Sequence, residues 1–85
     1  ALIGLTRTWS LELAADGITV NCISPGQIPK STTDPEMAER CRLRNPLERT
    51  GTSDDVKGAV ALLASQAGDW ITGHNLVVDG GWSIW

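Results

Sequence analysis

The run Asn21-Cys22-Ile23-Ser24 ends on a Pro25-Gly26 bend, and this is where the chain first offers chemistry. Gly26 has no Cβ and so permits close approach of backbone to a flat ligand, while the amides that follow at Gln27 and Ile28 suit a carboxamide. A Pro-Gly pair is also the signature of a plain turn, so these residues alone decide nothing. Asp79 has the chemistry of an acid or base, yet it precedes Gly80-Gly81 and fits a turn equally well. His74 is the single histidine and has no carboxylate or Ser partner at local spacing, which favours a structural or surface role. Cys22, inside an apolar run, reads as a small buried hydrophobe, since a reactive thiolate needs an exposed, electropositive setting. Trp82 and Trp85 read as interface or core residues, with closure of a neighbouring substrate pocket as the alternative.

The bulk properties narrow the field further. With 85 residues there is room for one domain at most, and one with a modest core. Hydrophobic residues make up 41%, too many for a disordered tail. A net charge of -3 argues against a phosphate-backbone binder, and the Arg residues between Arg40 and Arg49 stand among acidic neighbours, as on a solvated helix face. Cys22 and Cys41 show neither CxxC nor Cys/His spacing, which predicts no metal site, no disulfide framework and a cytoplasmic setting. The strongly apolar stretch 59–64 falls far short of the roughly 20 residues that cross a bilayer, so a soluble protein is expected.

The elements that must position these residues are legible from spacing. Leu2, Leu5, Trp9 and Leu13 recur at helical intervals, with Ile3, Ser10 and Ala14 as a second, smaller face, predicting a helix over 1–15 stopped by Asp16-Gly17. Apolar residues begin at Ala1 with no capping residue ahead of them, as expected of a chain that continues from a longer one. Alternation from Ile18 to Ser24 predicts a strand, and Asp34-Pro35 opens a helix that must end before Pro46. Ser53 with Asp54 and Asp55 opens a third helix with an inward stripe of Val56, Val60, Leu63 and Ala67, and Gly68 as its stop. A last strand is predicted over 75–78. The order α-β-α-α-β places long crossovers between the strands, so they belong to a parallel sheet, which two strands and three helices are too few to cover.

Read in order, Leu5-Thr6-Arg7, Asn21 to Gly26, Asn45-Pro46-Leu47-Glu48-Arg49-Thr50-Gly51, Leu62-Leu63-Ala64-Ser65, Ile71-Thr72-Gly73 and Val78-Asp79-Gly80-Gly81 closely resemble the C-terminal third of short-chain dehydrogenases/reductases. The resemblance covers essentially the whole chain. It implies that residues 1–85 are the C-terminal part of a Rossmann-like, doubly wound parallel α/β sheet, within a single NAD(P)-binding domain. It implies an NAD(P)-dependent oxidoreductase that interconverts an alcohol and a carbonyl, with a catalytically inactive truncated module as the alternative. Pro25 and Gly26 would lie beside the nicotinamide ring of NAD or NADP, with Gln27 following, and Ile28 would bind its carboxamide through the backbone. The position where that family commonly has a Thr reaching the cofactor holds Lys30, so Ser31 or Thr32 is expected to supply the hydroxyl. Residues 27–47 match a substrate lid, and tetramer contacts would run through about 53–67 and 75–79. The catalytic Ser and the Tyr-x-x-x-Lys pair would belong upstream, and the chain contains no tyrosine. The Gly80-Gly81-Trp82 ending resembles members acting on sugar acids and polyols.

Overall fold

A computed structural model describes residues 1–84. The elements are α1 (Leu2–Leu13), a 3-10 turn (Ala14–Asp16), β1 (Cys22–Pro25), α2 (Pro35–Arg44), α3 (Asp54–Ala64), a 3-10 turn (Gln66–Gly68), β2 (Asn75–Val78) and a final 3-10 turn (Trp82–Ile84). The architecture is α/β, and β1 and β2 pair in parallel with Cys22 opposite Asn75 and Pro25 opposite Val78. Trp85, read above with Trp82 as an interface or core residue, lies outside the described residues.

Helix α1 ends as its sequence predicts. Gly17 adopts a left-handed φ of 72° and donates its N–H to the Ala14 carbonyl, while Ile18 reaches back to Leu13. Of the two faces read for α1, the second, smaller one is what meets the rest of the chain. Thr6 and Ser10, one turn apart, are the buried residues of the helix, and a Cβ on Gly73 would come within 2.9 Å of the Ser10 hydroxyl. The larger stripe stays in the open, with Leu2 at 71% exposure and Trp9 at 48%. Small side chains let the helix approach the loop before β2, and that closeness turns the bulky ones outward.

Strand β1 is shorter at its start than the alternation predicts. Gly73, at φ 70°, turns the partner chain away, so residues 18–21 find no extended neighbour. Their polar groups are satisfied another way. The Asn21 amide donates to the Ile71 carbonyl at 3.0 Å and accepts from the His74 N–H at 3.0 Å, and the Val20 N–H reaches the Thr72 hydroxyl at 3.1 Å. One side chain thereby stands in for two rungs of the ladder.

Helix α2 follows expectation. Asp34 Oδ1 accepts the Glu36 N–H, Pro35 occupies the first turn, and Arg42 pairs with Glu39 through two hydrogen bonds. Helix α3 opens at Ser53-Asp54 as expected, but Ser53 has helical backbone angles and its hydroxyl caps nothing. Asp55 closes the end instead, accepting the Thr52 N–H at 2.8 Å and the Thr52 hydroxyl at 3.2 Å. The expected inward stripe is also incomplete, since Val60 is 50% exposed and Ala67 falls beyond the helix. Gly68 is not the stop of α3, which ends at Ala64. It packs so tightly on the Leu62 carbonyl that a Cβ there would overlap it. Among the described residues no apolar side chain is fully buried, in line with the expectation that these elements do not cover a parallel sheet by themselves.

Candidate functional site

Because β1 and β2 run parallel, their carboxyl ends lie side by side, the position where open α/β sheets bind ligands. Pro25 has no N–H to offer, but its place faces away from β2, and the Gly26 N–H continues the ladder by donating to the Val78 carbonyl at 2.9 Å. Just beyond, Gly26 crosses Asp79 in contact. A Cβ on Gly26 would stand 2.7 Å from the Asp79 Cβ and 2.8 Å from its Cα. The sequence reading reserved that missing side chain for a flat ligand, whereas in the structure the space belongs to the neighbouring strand end.

The Gln27 carbonyl accepts the Gly51 N–H at 2.9 Å, while the amides of Gln27 and Ile28 have no protein acceptor among the described residues. Gly26, Gln27, Ile28, Asn45, Val78 and Asp79 are among the residues lining a cavity of about 130 Å³. Ser31 and Thr32 form an exposed turn, closed by Thr33, whose hydroxyl accepts the Lys30 N–H at 2.9 Å. The Thr33 hydroxyl is therefore committed, and those of Ser31 and Thr32 are not.

The strap from Asn45 to Gly51, one of the runs that carry the resemblance and in part within the expected lid, also forms the cavity's far wall, a place not expected of it. Asn45 is only 4% exposed; its amide nitrogen donates to the Arg49 carbonyl at 2.8 Å, and its Oδ1 has no partner. The Leu47 N–H donates to the Gly80 carbonyl, so the strap ties to the end of β2 as well as to Gln27. Arg49 leaves the solvated run it was read with and makes two bonds to Asp55, at 2.8 and 2.9 Å. That guanidinium, with the Thr52 N–H behind it, holds the Asp55 carboxyl well below the usual carboxylate range. The signal available in the sequence was an Asn-Pro directly after a helix, six residues before a Gly.

Asp79 resolves toward its turn role. Its oxygens accept the N–H groups of Gly81 and Ser83, and its pKa is lowered first by the Ser83 side chain and then by these N–H groups. His74 is exposed and Cys22 half-buried. Among the described residues no cluster of His, Cys, Asp or Glu could hold a metal, and no helix is long and apolar enough to cross a membrane.

The donor set fits a neutral, planar amide better than a phosphate. Two adjacent backbone N–H groups are uncommitted, and the one cation lining the cavity, Arg49, is already engaged by Asp55.

Comparison with known proteins bears on what this arrangement belongs to. Residues 1–83 match a family model described as enoyl-(acyl carrier protein) reductase. The chain is similar to 2-dehydro-3-deoxy-D-gluconate 5-dehydrogenase of Bacillus subtilis, 44% identical over 87 residues that cover 96% of this chain and 34% of that protein. It is also similar to a 3-oxoacyl-(acyl-carrier-protein) reductase of Staphylococcus aureus, 42% identical over 83 residues, 94% of this chain and 34% of the relative. A solved structure of 4-hydroxyisoleucine dehydrogenase complexed with NADH and succinate superposes with a TM-score of 0.90 at 35% identity, over 100% of this chain and 36% of that one. The chain thus spans about a third of the length of the relatives it matches. Alike in sequence over residues 1–83 and in backbone course throughout, the chain belongs to the short-chain dehydrogenase/reductase family.

Proposed function

We propose that the complete protein is an NAD(P)-dependent oxidoreductase interconverting an alcohol and a carbonyl, and that residues 1–85 are the C-terminal part of its single nucleotide-binding domain. The observation that carries this reading is the pair of uncommitted amides at Gln27 and Ile28, held at the carboxyl ends of two parallel strands. Pro25 and Gly26 form the flat backbone wall, Ile28 donates its N–H to the nicotinamide carboxamide, and Ser31 supplies a hydroxyl. When bound, the nicotinamide carries the hydride. The chain's own contribution is to orient that ring and, with residues 27–47, to cover the substrate. Proton transfer would fall to residues outside this chain, which has no tyrosine.

The exposed stripe of Leu2, Leu5 and Trp9 on α1 is covered in this reading by the remainder of the same domain. Residues 53–67 and 75–79 would join subunits of a tetramer, an arrangement supported by the exposure of Val60, Leu62 and Val77. A cytoplasmic enzyme is proposed. For the substrate we favour a sugar acid or polyol, on the Gly80-Gly81-Trp82 ending and the similarity to a deoxygluconate dehydrogenase.

The full-length protein should change nicotinamide absorbance when offered gluconate-type compounds. Turnover of 3-oxoacyl thioesters with none of sugar acids would overturn the substrate assignment, and failure to bind either dinucleotide would overturn the oxidoreductase reading.

A further inference from the structure

We propose that Asn45 is a positioning residue for the nicotinamide wall, acting through the strap to fix the Gln27-Ile28 backbone; the inference rests on the oxidoreductase reading above.

Four observations converge on it. Asn45 is among the most buried side chains described, at 4% exposure, although it is polar and follows an exposed helix directly. Its Nδ2 closes the strap on itself through the Arg49 carbonyl, and the Asn45 carbonyl accepts the Glu48 N–H at 2.8 Å. The strap so closed bridges two strand ends, from Leu47 to the Gly80 carbonyl and from Gly51 to the Gln27 carbonyl. A Cβ on Gly51 would also lie 3.2 Å from the Ile28 side chain, so any shift of the strap moves against Ile28 itself.

The second of these strand ties matters most for function. Gln27 contributes its carbonyl to the strap, and the peptide plane that carries this carbonyl also carries the Ile28 N–H. Orienting one orients the other. The direction of the carboxamide-reading amide is therefore set from the far side of the cavity, by a residue that does not itself contact the ring. Arg49 holds the same strap from its exposed side through the bidentate pair with Asp55.

The effect should be confined to the nicotinamide end of the cofactor, because the Ile28 amide that the strap orients is the one proposed to meet the carboxamide, a group that ADP-ribose lacks. The test uses the complete protein, with Asn45→Ala and, as a variant that keeps the charge at a 55% exposed side chain, Arg49→Lys. Each is titrated with the dinucleotide that the wild type binds, and with the matching ADP-ribose, which lacks nicotinamide. We expect dinucleotide affinity to fall roughly tenfold for Asn45→Ala, as for a lost buried hydrogen bond, while ADP-ribose affinity stays within about twofold. Arg49→Lys should show the same split at smaller amplitude, and it carries the test alone if Asn45→Ala does not fold. Equal weakening of both ligands in a folded variant, or no weakening of either, would overturn the positioning role and leave the oxidoreductase reading standing. A wild-type protein that binds neither ligand would remove that reading and this inference with it.

Discussion

Gly26 and Asp79 touch where the two parallel strands end, leaving 2.7 Å between the Asp79 Cβ and the place a side chain on Gly26 would begin. Because the obstructing atoms include the Asp79 Cα, at 2.8 Å, no side-chain rotation relieves the clash. Gly26→Ala should destabilise the folded protein by about 1–3 kcal/mol, the usual range for overpacking. Asp79→Ala in the same background should restore nothing, since the Cα and Cβ remain. Urea unfolding of the four proteins of this cycle checks both statements, and full recovery would contradict the contact. It follows that loss of cofactor binding in a Gly26 variant is not by itself evidence for a ring beside Gly26.

Asn21 replaces two rungs of a ladder with one side chain, bonding Ile71 and His74 at 3.0 Å each. Asn21→Ala should therefore cost about 0.5–1.5 kcal/mol, the net worth of hydrogen bonds that are exposed or part-buried. The His74 amide, which loses its acceptor, should show faster hydrogen exchange than the Cys22 amide, which keeps its bond to the His74 carbonyl. Unaltered exchange at His74 would count against this arrangement.

Glu48 has a φ of 58°, the one left-handed residue among those described that is not glycine. Such a conformation costs a residue with a Cβ roughly 1–2 kcal/mol, part of which glycine gives back through its larger freedom when unfolded. Glu48→Gly should raise stability by up to about 1 kcal/mol, read as a higher melting temperature. A β-branched residue there should lower it.

The Asp55 carboxyl is held below its ordinary range chiefly by Arg49, and next by the Thr52 N–H. Its folded pKa lies under its unfolded one, so the stabilisation is complete above about pH 4, the ordinary carboxylate value, and drains away as the pH falls from there toward the folded value. Comparing melting temperatures of wild type and Asp55→Asn should give a gap that is full near neutrality and narrows in acid. Added salt should narrow it too, because the Arg49 and Asp55 side chains are 55% and 31% exposed.

Local signals carried much of this fold. Asp34-Pro35 and Asp16-Gly17 announced a helix start and stop that the backbone obeys, because capping is settled within a few residues of chain. What spacing could not reveal depended on residues far apart. Ser53 looked like the cap of α3 because serine is a good cap, but the Asp55 carboxylate reached Thr52 first. Both faces of α1 were legible from spacing, but periodicity records which residues share a side and not which side this stretch of chain approaches; Ser10 against Gly73 decides that. At the site, the Pro25-Gly26 bend and the amides after it were legible as a strand end. Asn45 was not, since its importance comes from Gly80 and Gln27, more than fifteen positions away on either side.

The hydrogen bond between Asn21 and His74 joins residues 53 apart in the chain. At typical synthesis rates, β1 leaves the ribosome roughly three to ten seconds before β2 can meet it. For that interval the alternating run around Ile23 is an unpaired edge with no local partner, since no hairpin can shelter it. Pro25 does not blunt that edge, because the N–H groups of Cys22 and Gly26 face β2 and the backbone alternates, so the donor that Pro25 lacks belongs to the opposite edge. The edge that waits for β2 thus keeps its donors throughout the interval, and early docking of β2 is what removes the exposure.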